Sequence, residues 1–194
     1  MSSRLIVVPR WAGGPASDWY PWLSHRLRRV QPRPFEHVVL ASMPDPGEPT
    51  IAKWVASVKT LLGHDPKAIA QTVLVGHSVG CQAVLRALAE LDDGITVGGV
   101  LCVAGWFWTD APWASLLPWI EAPFALDRAR AAAGRQVITL ISDNDPHTGD
   151  WQANRRAWED RLGASVLIVP GARHFNGEQY PIVEQVLLDH FGAA

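Results

Sequence analysis

Val73-Leu74-Val75-Gly76-His77-Ser78-Val79-Gly80, followed at once by the helix-like run Cys81-Gln82-Ala83-Val84-Leu85-Arg86-Ala87-Leu88, decides how the chain reads. It is a G-x-S-x-G turn between a buried strand and a helix. To lift a hydroxyl clear of a sheet, such a turn must be so tight that the serine takes a strained backbone conformation. A Cβ two residues before or after it would strike neighbouring backbone, which accounts for glycine at 76 and 80. The helix that follows aims its N-terminal amides at Ser78, where negative charge would develop. The plainer reading is a core serine bracketed by glycines. The order strand, turn, helix favours a nucleophile elbow instead. A phosphate loop fits worse, because the segment lacks the spacing and the lysine of G-x-x-x-x-G-K-[ST].

Composition narrows the rest. The 194 residues suit one domain, 1–194, with a sizeable core, and 48% apolar with 19% charged residues is ordinary for a soluble globular chain. A net charge of −2 gives no reason to expect nucleic acid or an anionic membrane as a partner. Cys81 and Cys102 read as small buried hydrophobes, not as a disulfide framework. The apolar run from Leu5 stops at Pro9, and no stretch approaches the length of a membrane span. The expectation is a cytoplasmic protein without leader or anchor. Tryptophan is the outlier, with ten residues, several in loop-like stretches.

Outward from the elbow, short apolar runs alternate with helical patterns. Leu5–Val8, His37–Leu40, Val73–Val75, Val97–Val103, Val137–Ile141 and Val166–Val169 read as strands covered on both faces. Helices are expected around Trp19–Leu27, over Ile51–Leu62 with Thr50 as N-cap, and from the elbow to Leu91. Further helices are expected over Leu126–Ala133, Asp150–Leu162 and Ile182–His190. Residues 104–125 form a proline- and tryptophan-rich insertion. This alternation implies a three-layer α/β/α sandwich on a six-stranded parallel sheet, ordered 2-1-3-4-5-6. The order reverses between the first and third strands, so the loops after them, Pro9–Pro15 and the elbow, share one crevice.

A serine hydroxyl is a weak nucleophile that needs a base, and the base needs an orienting acid. In this architecture they follow in the order Ser, Asp/Glu, His, each on a loop past a strand. After the fifth strand comes Ser142-Asp143-Asn144-Asp145-Pro146, and after the sixth comes Pro170-Gly171-Ala172-Arg173-His174-Phe175. His174 is the one histidine between the sixth strand and the terminal helix, which makes it the base candidate. His77 is expected to point away from the serine and pack, and His147 sits on the acid's own loop. Spacing leaves Asp143 and Asp145 both open as the acid. No H-E-x-x-H or clustered Cys/His spacing supports metal hydrolysis.

At this point the chain resembles the compact YdeN-type and retinoblastoma-binding serine hydrolases, small members of the α/β-hydrolase fold. The resemblance runs from V-V-P-R-W-A-G-G and W-Y-P-W-L through G-H-S-V-G-C to N-D-P and G-A-R-H-F. It implies a Ser-Asp-His triad at Ser78, Asp145 and His174, the aspartate before proline matching the family's acid. It implies hydrolysis of esters or related acyl compounds through an acyl-enzyme, with no metal or organic cofactor. The backbone amides of Trp11 and Val79 are the corresponding oxyanion donors. The chain departs from the wider fold at Pro9-Arg10, where many relatives carry His-Gly. It also lacks L-x-C-x-E, so no specific protein partner is carried over.

The insertion stretch Gly105-Trp106-Phe107-Trp108-Thr109-Asp110-Ala111-Pro112-Trp113 leaves the fourth strand at the edge that carries the triad candidates. Rigid aromatics there fit an apolar acyl or alcohol pocket, with Trp106 and Trp108 as substrate-binding residues; equally, they could plug exposed surface. The expected function is serine hydrolysis of a small-molecule carboxylic ester, ahead of thioesters and peptides. The alternative is a non-catalytic interaction protein that presents the tryptophan-rich face.

Overall fold

A computed structural model describes residues 4–134 and 136–192. Six strands, β1 (Arg4–Val8), β2 (His37–Leu40), β3 (Thr72–His77), β4 (Gly99–Val103), β5 (Val137–Ile141) and β6 (Ser165–Ile168), form one sheet in the order β2-β1-β3-β4-β5-β6. Every neighbouring pair is parallel. The α/β class, the strand number and the strand order are those the sequence implies.

Alternate residues of each central strand feed two different cores, which is why the strands read as unbroken apolar runs. Ile6, Val8, Leu74, Val100 and Cys102 face one core, while Leu5, Val7, Val73, Val75, Leu101 and Val103 face the other. Helices α2 (Ile51–Leu62), α4 (Val79–Ala89), α6 (Leu126–Ala132) and α7 (Trp151–Leu162) cover the first core. Helices α1 (Tyr20–Arg29) and α8 (Pro181–His190) cover the second.

Two helices go beyond the sequence reading. They are α3 (Pro66–Ala70) and α5 (Leu117–Glu121), and each has only five residues with a proline in its first two positions. A single turn is too short to show helical periodicity. The α3 turn is marked by its cap, Asp65, whose carboxylate accepts from the Lys67 amide at 3.0 Å. Among the described residues no helix is long and apolar enough to cross a membrane.

Helix α4 positions the site, and all eleven of its residues are buried. Its polar residues Gln82 and Arg86 face the insertion. Arg86 donates to Gln82 Oε1 at 2.5 Å and to the carbonyls of Trp119 and Ala122 at 2.9 and 2.8 Å. Its guanidinium also lies over the Phe124 ring, 4.2 Å from the centroid. Gln82 in turn donates to the Trp106 carbonyl. Burial without a carboxylate partner lowers the Arg86 pKa to about 10. The tryptophan-rich insertion is therefore fastened from beneath by the helix that begins at the elbow.

Candidate active site

Ser78 sits between β3 and α4 with φ 55° and ψ −120°, a conformation costly for any residue with a Cβ. Its amide donates to Val103 O at 2.9 Å, which fixes the turn to β4. The glycines are explained by contact. A Cβ on Gly76 would lie 2.6 Å from the Cys81 N and Cα atoms, and one on Gly80 would lie 2.4 Å from Val8 O and 2.6 Å from Pro9 O. The elbow therefore rests on its own following turn and on the loop after β1.

The loop after β5 and the loop after β6 are joined by three consecutive residues. Asp143 Oδ1 accepts from the Gly171 amide at 2.8 Å, and Asn144 Oδ1 accepts from the Arg173 amide at 2.8 Å. Asp145 Oδ2 lies 2.7 Å from His174 Nδ1, and its Oδ1 accepts from the His147 amide at 2.9 Å. Of the two aspartates left open by spacing, it is Asp145 that meets the imidazole. Arg173 and Phe175 flank His174 with φ of 53° and 55°. Such strain persists only where neighbours over-determine it, as the buried Phe175 ring and the Asn144 carboxamide do here. Ser78, Asp145 and His174 are all buried at about one-twentieth exposure, and each follows the carboxyl end of a strand, β3, β5 or β6. Among the described residues no hydrogen bond joins Ser78 to His174. The Ser78 Oγ instead accepts from the indole N–H of Trp106 at 3.2 Å.

His77 packs, as expected, but it also bridges. Its Nε2 is 2.9 Å from the His174 carbonyl, which can only accept, so Nε2 carries the proton. Nδ1 then accepts from the Tyr20 hydroxyl at 2.7 Å, and that hydroxyl accepts from the Arg10 amide at 3.2 Å. Burial holds the imidazole well below the usual histidine range and pushes the phenol up, so the chain of bonds keeps one protonation state. A buried thread thus ties the loop after β1 to the backbone of His174. Nothing in the sequence pattern marked it.

The path of the loop after β1 follows from Arg10. The guanidinium grips Asp18 through two bonds, at 2.7 and 3.0 Å, and donates to the Trp11 carbonyl at 2.8 Å. Such planar, two-pronged pairing fixes orientation as well as distance. The Trp11 peptide is held by a side chain whose replacement by glycine would free it.

The aromatics of the insertion divide. Trp106 is 1% exposed and so presents an N–H to Ser78, not an open face to a substrate. Trp108 is partly buried against the α2–α4 core. Trp113 is the exposed one, at 44%; it stacks on Trp11 with centroids 5.3 Å apart and an interplanar angle of 3°. It also lies 5.2 Å from His147, whose ring packs edge-on against His174 at 4.6 Å. Partial burial and the neighbouring His174 lower the His147 pKa, so that ring is neutral at pH 7. Trp11, Trp113 and His147 form a continuous shelf from the loop after β1 to His174. A cleft of about 400 Å³ opens beside it, lined by Pro49, Ile51, Ser115 and Pro118 among others, with Ser115 accepting from the Trp11 indole at 3.1 Å. Among the described residues no group of three or more His, Cys, Asp or Glu side chains is placed to hold a metal.

Both the sequence and the fold have relatives among known proteins. Over 98% of this chain and 97% of the relative, the sequence is 30% identical to YdeN of Bacillus subtilis (strain 168). The crystal structure of the B. subtilis ydeN gene product superposes with a TM-score of 0.84 at 22% identity, covering 97% of this chain and 98% of that one. Est1E from Butyrivibrio proteoclasticus shares the fold more distantly, with a TM-score of 0.66 at 14% identity over 96% of this chain and 86% of that one. Residues 5–187 match the family described as serine hydrolase. The chain is a hydrolase that belongs to the serine hydrolase family.

Proposed function

We propose that this hydrolase cleaves carboxylic esters through an acyl-enzyme on Ser78. His174 removes the serine proton as Oγ attacks the ester carbonyl, and then delivers that proton to the departing alcohol. Asp145 holds the imidazole with its proton on Nδ1 and stabilises the imidazolium that forms. The amides of Trp11 and Val79 are the proposed donors to the oxyanion, one held by Arg10 and the other at the N-terminus of α4. The observation that carries the reading is the 2.7 Å Asp145–His174 contact beside a serine strained at φ 55°. The test is a fluorophosphonate probe on the purified protein, followed by peptide mapping of the adduct. The expected result is one adduct, on Ser78. No labelling under conditions that label a control esterase would favour an interaction protein that uses the exposed tryptophan face.

The shelf, in this reading, receives the apolar part of the ester, because the Trp113 ring is exposed and leads directly to His174 through His147. Trp113→Ala should lower kcat/KM by about tenfold for long or aromatic acyl groups and by less than about twofold for acetyl. A series of p-nitrophenyl esters measures this. Uniform loss along the series, with a lowered Tm, would assign Trp113 a structural role.

A further inference from the structure

Trp106 differs from the other tryptophans of the insertion in touching the reacting atom. Its Nε1–H donates to Ser78 Oγ at 3.2 Å, inside the protein. The donor is held from both sides of the chain. The Gly105 carbonyl accepts from Asn154 Nδ2 at 3.0 Å and from Trp158 Nε1 at 3.2 Å, while the Trp106 carbonyl accepts from Gln82. Gly105 itself permits this closeness, because a Cβ there would lie 2.4 Å from the Trp158 ring. Five hydrogen bonds anchor Gln82, Arg86, Gly105 and Trp106 in one network, so the indole is aimed by α4 and α7 together.

An indole N–H donates and cannot accept. It therefore cannot take the serine proton, and it leaves that proton free to go to His174. What it can do is stabilise negative charge on Oγ. In acylation Oγ gives its proton to His174 as it attacks, so partial negative charge gathers on it in the transition state and a fixed donor stabilises that charge. In deacylation the roles reverse. Water attacks the acyl carbon while His174 takes its proton; the C–Oγ bond then breaks, Oγ leaves with the electron pair, and His174 returns the proton to it. This departure of Oγ is the reverse of its attack, so charge grows on Oγ in both steps and a donor fixed beside it acts on both transition states.

We propose, resting on the acyl-enzyme reading above, that Trp106 is a catalytic residue whose indole N–H stabilises the charge on Ser78 Oγ, both as it attacks in acylation and as it leaves in deacylation. Trp106→Phe keeps the buried ring and removes the donor. With p-nitrophenyl acetate, stopped-flow release of p-nitrophenol gives the acylation rate, and intact-protein mass spectrometry gives the decay of the acetyl adduct. Acylation and adduct decay should both slow, each by about tenfold. Loss of an interaction made in both transition states should lower kcat and kcat/KM by similar factors.

Acylation or adduct decay that keeps its wild-type rate in a folded Trp106→Phe variant would overturn the assignment. Absence of any adduct on wild-type Ser78 would instead sink the underlying mechanism, so the two failures are distinguishable. Should Trp106→Phe not fold, the wild-type indole resonance of Trp106 still reports the bond. It should move upfield in Ser78→Ala, and an unmoved resonance would count against the proposal.

Discussion

Asp145→Asn should lose at least about 10² in kcat/KM near pH 7, whereas Asp143→Asn should lose less than about tenfold. One residue separates these carboxylates, yet they do different things. Asp143 Oδ1 accepts from the Gly171 amide, a bond that an asparagine oxygen makes equally well. Asp145 accepts on both sides, from the His147 amide at Oδ1 and facing His174 Nδ1 at Oδ2. An asparagine there must turn its oxygen to the His147 N–H, because an NH₂ against that N–H would set two donors together. Its NH₂ then faces Nδ1 and forces that nitrogen to accept. The imidazole proton moves to Nε2, and the base can no longer take a proton from serine. In the serine-protease triad the same substitution lowers kcat by about 10⁴. A partly retained oxyanion site makes about 10² the cautious lower bound here. Steady-state kinetics on a p-nitrophenyl ester at pH 7, with Tm for each variant, decides the matter. The opposite ranking, with both variants folded, would move the acid to Asp143.

What could be read in advance follows the range of the interactions. The strands were legible because each central one feeds a core on both sides, and that leaves an unbroken apolar run such as Leu5–Val8. The elbow was legible because its requirement is local: Gly76 and Gly80 stand within two residues of Ser78 and meet backbone at once. His174 could be named by order along the chain, but the aspartate could not. Which of Asp143 and Asp145 turns inward depends on bonds to Gly171 and His147 that no spacing encodes. Arg10 gave no sign of its task, since its partner Asp18 is recognised only once the loop has folded back. In the insertion the failure is one of period. Trp106, Trp108 and Trp113 carry no repeat that separates inside from outside, and the choice is made by Gln82, Asn154 and Trp158 reaching in from two helices. Trp106 was thus expected at a pocket wall and lies instead against the serine.

Gly80→Ala should destabilise the fold by at least about 3 kcal/mol, above the ordinary range for a single added methyl. Local preference argues the other way. Gly80 lies in the first turn of α4, where alanine is favoured over glycine by about 1 kcal/mol. Tertiary contact overrides this gain. The new Cβ would lie 2.4 Å from Val8 O and 2.6 Å from Pro9 O, and both are backbone atoms with no rotamer to give. Relief requires α4 to lift from the sheet or β1 to shift. The first exposes part of a helix buried along its whole length; the second breaks into the pairing of Val8 with Gly76. Either movement also displaces the loop that carries Trp11, so activity should fall further than the loss of folded protein explains. Gly14→Ala is the control, because a Cβ there meets nothing within 4 Å and the backbone is not left-handed; its stability should stay within about 0.5 kcal/mol of wild type. For a domain of this size the Gly80→Ala penalty corresponds to a fall in Tm of about 6–12 °C, readable by calorimetry. Equal melting temperatures for the two variants would mean that the elbow does not rest on the end of β1.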